Sequence, residues 1–526
     1  MWRKTKLIMI LMFVAFIIGF SPTIIRFLSD ALIYSAGKLS LHPHIVAVIN
    51  SFVYILKHYA WHIMFVYALI VAFMIFMEGQ NPDRTILWMF VLVFVPVLGL
   101  IIYFIIGPDP ENYTKRKSFR LAKPTVDNTP FTSDRRYAIG KLLHSCSGAD
   151  LLIHNRVKIL INGDETFSAI IDALQKAEHY IHMEFFIIKD DEIGREIRDV
   201  LLEVAKRGVK IRVLYDAIGS WSLTKKYVDT LIDAGIECHS FTPVSFARFR
   251  RKMNFRNHRK IIVIDSKIAF TGGLNIGDEY LGKGPLGHWR DTHVELEGEC
   301  VAELHKIFLD DWCFRTGENP DKIDKNLSCA NNENDFEIDH SSLPIVPLQV
   351  VESDASDAWH TISQGYFSMI TKAKSRIWIT TPYLVPGPSL MTAIANAALA
   401  GVDVRIIVPS TKDHFLVFWA SRNNYAYLLR AGVKIFLYEK GFVHAKSLVM
   451  DNNVCSVGTC NMDVRSLEIN FENQLFIYNE ETTEQLAEQF EKDFDDSHQL
   501  DLNEWTKRPL WQKVFESFGK LYSAQI

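Results

Sequence analysis

Three stretches near the N-terminus, at 7–25, 59–77 and 85–106, contain no Asp, Glu, Lys or Arg. About 20 apolar residues cross the hydrocarbon core of a bilayer as a helix, so the second and third predict membrane spans. The first follows Arg3, Lys4 and Lys6 as a signal peptide would, but it is long for that role and no A-x-A-type cleavage site follows. It reads as an uncleaved membrane segment. Lys115, Arg116, Lys117, Arg120 and Lys123 follow the third stretch and mark the cytoplasmic side, while Arg3, Lys4 and Lys6 ask the same of the N-terminus. Three complete spans cannot satisfy both. The expected arrangement is a two-span hairpin, with 7–25 not fully crossing and the remainder of the chain in the cytoplasm.

Beyond the polar, basic stretch at 108–136 the hydrophobic pattern changes, and it does so twice in the same way. An amphipathic helix at 173–181 leads into an apolar strand at 183–188, and 369–377 leads into 378–380. Helix, glycine and strand then follow at 196–207, Gly208 and 209–215, and again at 390–400, Gly401 and 402–408. Each glycine stands where a left-handed helix cap is needed. A further helix–glycine–strand unit surrounds Gly235 in the first half and Gly432 in the second. Such alternation predicts an α/β/α sandwich in each of two pseudo-symmetric halves. The expected domains are a membrane anchor (1–107), a basic connector (108–136), a first half (137–318), an acidic linker (319–343) and a second half (344–526). The linker carries too little apolar surface to order itself.

Composition sharpens this picture in two places. The 48% hydrophobic fraction owes its excess to the N-terminal stretches, and a formal net charge of −4 argues against a dedicated nucleic-acid binder. The seven cysteines form no C-x-x-C pair, so reduced thiols are expected in the cytoplasm, with Cys455 and Cys460 packed rather than redox-active.

The duplicated strand carries the chemistry. His258, Lys260 and Asp265 are spaced H-x-K-x4-D, and His444, Lys446 and Asp451 repeat the spacing. Each copy runs on to a small-residue turn ending in asparagine, G-G-L-N at 272–275 and G-T-C-N at 458–461. Alternate strand residues share a face, so each histidine and its lysine point into one cleft. With no acidic metal cluster, this residue set suits metal-free attack on a phosphodiester. One neutral imidazole can attack phosphorus and form a phosphohistidine. The other can protonate the departing alcohol. Lys260, Lys446, Asn275 and Asn461 would donate to the phosphoryl oxygens. Asp291 and Glu472, at the starts of following apolar strands, are candidates to fix the histidine tautomers. Asp265 and Asp451 belong to the motif and to the candidate catalytic set. However, seven residues from the histidine they fall on the opposite strand face, which favours holding a turn or a buried charge pair. Arg290 and Arg465 are readable as phosphate contacts or as wall salt bridges.

These motifs resemble the phospholipase D superfamily, and within it the bacterial cardiolipin synthases with two such motifs. The likeness covers nearly the whole chain. It includes N-P-D-R-T-I-L-W at 81–88, W-R-D-T-H at 289–293, T-P-Y-L-V-P at 381–386, G-F-V-H-A-K at 441–446 and E-W-T-K-R at 504–508. The resemblance implies conversion of two phosphatidylglycerol molecules to cardiolipin and glycerol without a cofactor, with His258 as nucleophile and His444 as acid and base. Phosphatidylglycerol would be both donor and acceptor, with membrane lipids the other partners and nucleic acid excluded. Gly273 departs from the Gly-Ser of many relatives and removes a hydroxyl that could contact phosphate, whereas Thr459 keeps one in the second half. Alternatives are a phospholipase D, a phosphatidyltransferase using another alcohol, a nuclease, or a non-catalytic lipid-binding scaffold.

Overall fold

The computed structural model describes residues 137–241, 256–318 and 342–521, together with scattered helical positions between Ala47 and Gly99. The stretches at 7–25, 59–77 and 85–106, the connector and nearly all of the acidic linker therefore lie wholly or largely outside the described residues. Among the described residues no helix is long and apolar enough to cross a membrane. The chain divides into two compact units, Met1–Gly107 and Pro108–Ile526. The strands and both H-x-K motifs belong to the second unit.

The first half contributes β1 (Leu152–Ile161), β2 (Tyr180–Phe185), β3 (Lys210–Tyr215), β4 (Glu237–Ser240), β5 (Lys260–Ile264), β6 (Ile268–Gly272), β7 (His288–Arg290) and β8 (Thr292–Gly298). The second half contributes β9 (Ile345–Ser353), β10 (Arg376–Thr380), β11 (Asp403–Pro409), β12 (Lys434–Tyr438), β13 (Gly441–Val443), β14 (Ser447–Met450), β15 (Val454–Gly458), β16 (Glu472–Ile477) and β17 (Ser497–Gln499). All but β7 and β13 form one mixed sheet in the order β17-β12-β11-β10-β14-β15-β16-β9-β1-β8-β6-β5-β2-β3-β4. From the β1–β9 junction outwards, the order β8-β6-β5-β2-β3-β4 is matched by β16-β15-β14-β10-β11-β12. The two halves are thus copies joined edge to edge through an antiparallel pair.

Helices cover both faces, so central strands such as β2 and β5 are buried along their whole length; after Lys260 β5 is a continuous apolar run, whereas β2 also buries His182 and Glu184. One core lies within the first half, around Phe167, Leu201 and Ile262. A second lies in the other half, around Ile362, Ile394 and Leu448. The third joins Val263 and Leu296 to Val350, Val449 and Leu475, and so continues across the junction. Burying apolar surface from both halves in one core is what makes them a single body.

Two local features differ from the expected pattern. The expected strand at 183–188 begins earlier, at Tyr180, because the Asp265 carboxylate accepts the amides of Glu178, His179 and Tyr180 and turns the chain into the sheet there. The helix Tyr137–Ser147, expected within the first half, buries Ile139 and Leu143 in the core of the second. Gln349 holds it by donating to the Gly140 carbonyl at 3.1 Å.

Candidate active site

Both motif histidines sit just before a sheet strand and are held by the opposite half. The His258 amide donates to the Phe471 carbonyl at 2.9 Å, and the His444 amide donates to the Arg290 carbonyl at 2.7 Å. Asn257 forms a parallel bridge to Phe471, and β13 pairs in parallel with β7. This registers each histidine against the residue that follows on the other strand, a carboxylate in both cases. His258 Nδ1 lies 3.0 Å from Glu472 Oε2, and His444 Nδ1 lies 2.8 Å from Asp291 Oδ2. Both carboxylates are completely buried. Sequence singled out these acids; the structure adds that each serves the histidine of the other half.

The lysines close the cleft. Lys260 Nζ donates to the His258 carbonyl at 2.7 Å. Lys446 Nζ donates to the His444 carbonyl at 2.5 Å and lies 3.0 Å from Nε2 of that imidazole. Burial foremost lowers Lys260 to about 7, with the charge of Lys446 adding to it, and burial lowers Lys446 to about 8 against the opposing carboxylates. Burial also lowers both histidines to about 4, with nearby lysine charge adding to the effect and the carboxylates opposing it. Burial alone would raise Asp291 and Glu472. The cations outweigh it: Lys446 and His444 act on Asp291, and His258 and Lys260 on Glu472, so both end below the ordinary carboxylate range. Values this low favour neutral imidazoles at neutral pH, with Nδ1 of each ring against a carboxylate and Lys446 Nζ 2.7 Å from His444 Nδ1 as well as 3.0 Å from its Nε2.

The asparagines are less equivalent than their spacing implies. Asn275 accepts from the Ile187 amide at 3.1 Å and donates from Nδ2 to the Tyr280 hydroxyl at 2.6 Å, leaving one N–H for a ligand. Asn461 Oδ1 is buried without a hydrogen-bond partner, although its side chain also reaches Asp463. Tyr280 stacks edge-on beside His444, with centroids 6.4 Å apart.

Asp265 and Asp451, grouped with the candidate catalytic residues, are not brought to the histidines. Both have positive φ, +52° and +50°, at the far end of the motif strand. Asp451 accepts amides of Lys374, Ser375 and Arg376, as Asp265 does in the first half. Their position is that of turn holders. Arg290 is a wall salt bridge, donating to both oxygens of Asp493 at 2.8 and 3.0 Å, and Arg465 acts electrostatically on Asp463.

The Gly273 and Thr459 pair also takes a different meaning. The Thr459 hydroxyl lies 2.5 Å from Glu472 Oε2 and so contacts the orienting carboxylate, not a phosphate position. A Cβ at Gly273 would overlap the corresponding Asp291 carboxylate. The shorter Asp thus stands with Gly and the longer Glu with Thr.

Sequence reasoning passed over Arg259, between His258 and Lys260. Its side chain turns to the opposite face, where it is fully buried. It donates to Asp311 at 2.5 Å, to Glu352 at 2.8 Å and to the Glu472 carbonyl at 3.3 Å. The same alternation that aims His258 and Lys260 into the cleft could have marked an Arg aimed into the core, a position that demands anions. Its counterpart is Ala445, so this brace exists in one half only.

The family model described as "Cardiolipin synthase, PLD-like domain" matches residues 170–312 and 366–494, and "Phospholipase_D-nuclease N-terminal" matches 63–108. The chain is 39% identical over 475 residues to cardiolipin synthase 2 of Bacillus anthracis, covering 87% of this chain and 89% of that protein. It is 40% identical over 471 residues to the cardiolipin synthase of Geobacillus sp. (strain WCH70), covering 86% and 91%. The crystal structure of phosphatidylserine synthase from Haemophilus influenzae Rd KW20 shares the fold, with TM-score 0.57 and 17% identity over 75% of this chain and all of that one. With both halves matched and close relatives covering most of its length, the chain belongs to the cardiolipin synthase family of phospholipase D-like proteins.

Proposed function

We propose that this protein is a cardiolipin synthase that joins two phosphatidylglycerol molecules into cardiolipin and releases glycerol. The observation that carries this reading is the pair of cross-half couples, His258 with Glu472 and His444 with Asp291, in a cleft with two buried lysines. Its substrate assignment rests on the close cardiolipin synthase relatives.

His258 Nε2 attacks the phosphorus of the first lipid, and the bond to the glycerol headgroup oxygen breaks as that oxygen takes a proton from the His444 side. His444 and Lys446 lie within hydrogen-bond distance and together hold that proton, so their titration belongs to the pair. The negative phosphodiester favours the imidazolium form of His444 once it enters. Lys260, Lys446 and the free amide hydrogens of Asn275 and Asn461 receive the phosphoryl oxygens. A second phosphatidylglycerol then gives its hydroxyl proton to neutral His444 and attacks the phosphatidyl–histidine, which restores His258. Glu472 and Asp291 hold the rings throughout, and Asp265 and Asp451 act only through the turns they fix.

Residues 1–107 would anchor this catalytic part as a two-span hairpin, with 108–136 as connector, 319–343 as linker and both halves on the cytoplasmic side. The uncharged stretches at 59–77 and 85–106 support the hairpin. An anchored cleft meets its lipid substrates at high local concentration, and a partly dry one favours a lipid alcohol over water.

The test is the product profile of purified full-length protein in vesicles of phosphatidylglycerol. Cardiolipin and glycerol in equal amounts are expected. Phosphatidic acid as the sole lipid product would make the protein a hydrolase, and products appearing only with another added alcohol would reassign the acceptor.

A further inference from the structure

The last described helix, Leu510–Leu521, is packed inside out. A surface helix ordinarily turns its apolar stripe towards the protein. Here Glu516 and Gly519 are the buried residues. Glu516 accepts from Arg508 Nε at 2.9 and 3.0 Å and pairs with Arg422 at 3.6 Å, and Gln512 accepts from Arg422 at 3.2 Å. Gly519 lies so close to the helix Phe415–Arg430 that a Cβ would stand 2.6 Å from the Ala420 nitrogen. The opposite face presents Leu510, Trp511, Val514, Phe515 and Leu521, between 39% and 76% exposed.

This face does not stand alone. Trp511 and Phe515 ring centroids lie 5.8 and 5.5 Å from Trp419, and Phe515 lies 5.4 Å from Phe415, itself 44% exposed beside Leu416. Lys412 borders the patch, its Nζ 5.7 Å from the Phe415 ring, and exposed Lys507 and Lys520 neighbour patch residues in the sequence. One end of the patch lies close to the active site. Asp413 and His414 immediately precede Phe415, the Tyr383 hydroxyl donates to Asp413, and the charge of Asp413 reaches both Lys446 and Tyr280.

We propose that the face formed by Leu510–Leu521 and the start of Phe415–Arg430 lies on the surface of the lipid bilayer, seating the cleft mouth over the headgroups. Exposed aromatic and aliphatic side chains in the company of lysines are the composition of an interfacial helix on an anionic membrane. The inference deepens the proposed function because it rests on the substrates being membrane lipids.

The experiment uses the full-length protein in vesicles of phosphatidylglycerol and phosphatidylcholine. An environment-sensitive fluorophore is attached to a Val514→Cys variant, with Glu203→Cys, exposed on a helix of the first half, as the control; signal from native cysteines is subtracted using unsubstituted protein. At 514, quenching by bromines on lipid chains and protection from aqueous iodide are expected, with the reverse at 203. Iodide quenching at 514 overturns the proposal. Protection from iodide without quenching by lipid bromines also overturns it, since protein would then cover the face. A second arm compares Val514→Asp/Leu521→Asp with the parent. Turnover in vesicles should fall at least about tenfold, while turnover of dispersed short-chain phosphatidylglycerol stays unchanged. Equal loss on both substrates, or on neither, rejects the docking role. If the parent makes no cardiolipin from either substrate, the proposed function fails while the fluorophore still reports docking.

Discussion

His258 and Glu472 stand 214 positions apart in sequence, yet Nδ1 of one lies 3.0 Å from Oε2 of the other. The mirror pair, His444 and Asp291, is separated by 153 positions and closes to 2.8 Å. Neither half can make a complete imidazole–carboxylate couple by itself.

Each carboxylate should therefore matter as much as the histidine it holds. Glu472→Gln and Asp291→Asn are expected to lower kcat by about 10²- to 10⁴-fold with little change in the fold. Steady-state turnover of phosphatidylglycerol, with circular dichroism as the folding control, checks this. Retention of more than a third of parental kcat in either variant would show that the pairs do not orient the rings.

The buried lysines should set the alkaline side of the pH profile. A lysine is charged below its pKa and neutral above it, so lowering Lys260 to about 7 and Lys446 to about 8 means that phosphate-binding charge is lost as pH rises through that window. The profile of kcat/KM should accordingly decline from about pH 7 and steepen above 8. His258, lowered to about 4, should leave no acidic limb above about pH 5. Lys446→Arg, which stays charged, should move the alkaline limb upwards even if its rate is lower. A limb that does not move would assign it to another group.

The contrast between Gly273 and Thr459 predicts unequal sensitivity. Thr459→Val removes one hydroxyl from a carboxylate that keeps its histidine, so a loss of about five- to tenfold in kcat is expected. Gly273→Ala forces a Cβ into Asp291 and should be the more damaging, at about 10²-fold or beyond. Parallel kinetics on the two variants decide the order.

Arg259 braces the first motif from behind. Removing it takes the cation from the buried Arg259–Asp311 ion pair, and breaking a buried ion pair in this way costs about 3–5 kcal/mol. Arg259→Met should lower the thermal midpoint and reduce activity together. Lys158→Met, from an exposed pair with Glu295, should change the midpoint by far less, because exposed pairs contribute about 0–1 kcal/mol.

Much of this is legible in the sequence. Period and punctuation locate the elements: Gly208 and Gly401 sit at φ +90° and +92°, where the helix–glycine–strand pattern requires them. Duplication gives two α/β halves, and the spacing of His258 with Lys260 and of His444 with Lys446 gives the chemistry. These are local properties, governed by side-chain periodicity and backbone conformation over a few residues. Partnership was not legible. Nothing within either half states that Glu472 faces His258 and not His444. That follows from the parallel bridge of Asn257 with Phe471, the β7–β13 pair, and the core shared beneath β1 and β9. The outward face of Leu510–Leu521 is similar: its apolar stripe is written in sequence, but its direction was fixed by Arg422 and Arg508 binding Glu516 on the other side. Sequence by itself determined which groups this protein carries and on which elements. Tertiary structure alone decided which groups meet, because contacts between distant residues depend on how whole sheets and cores join.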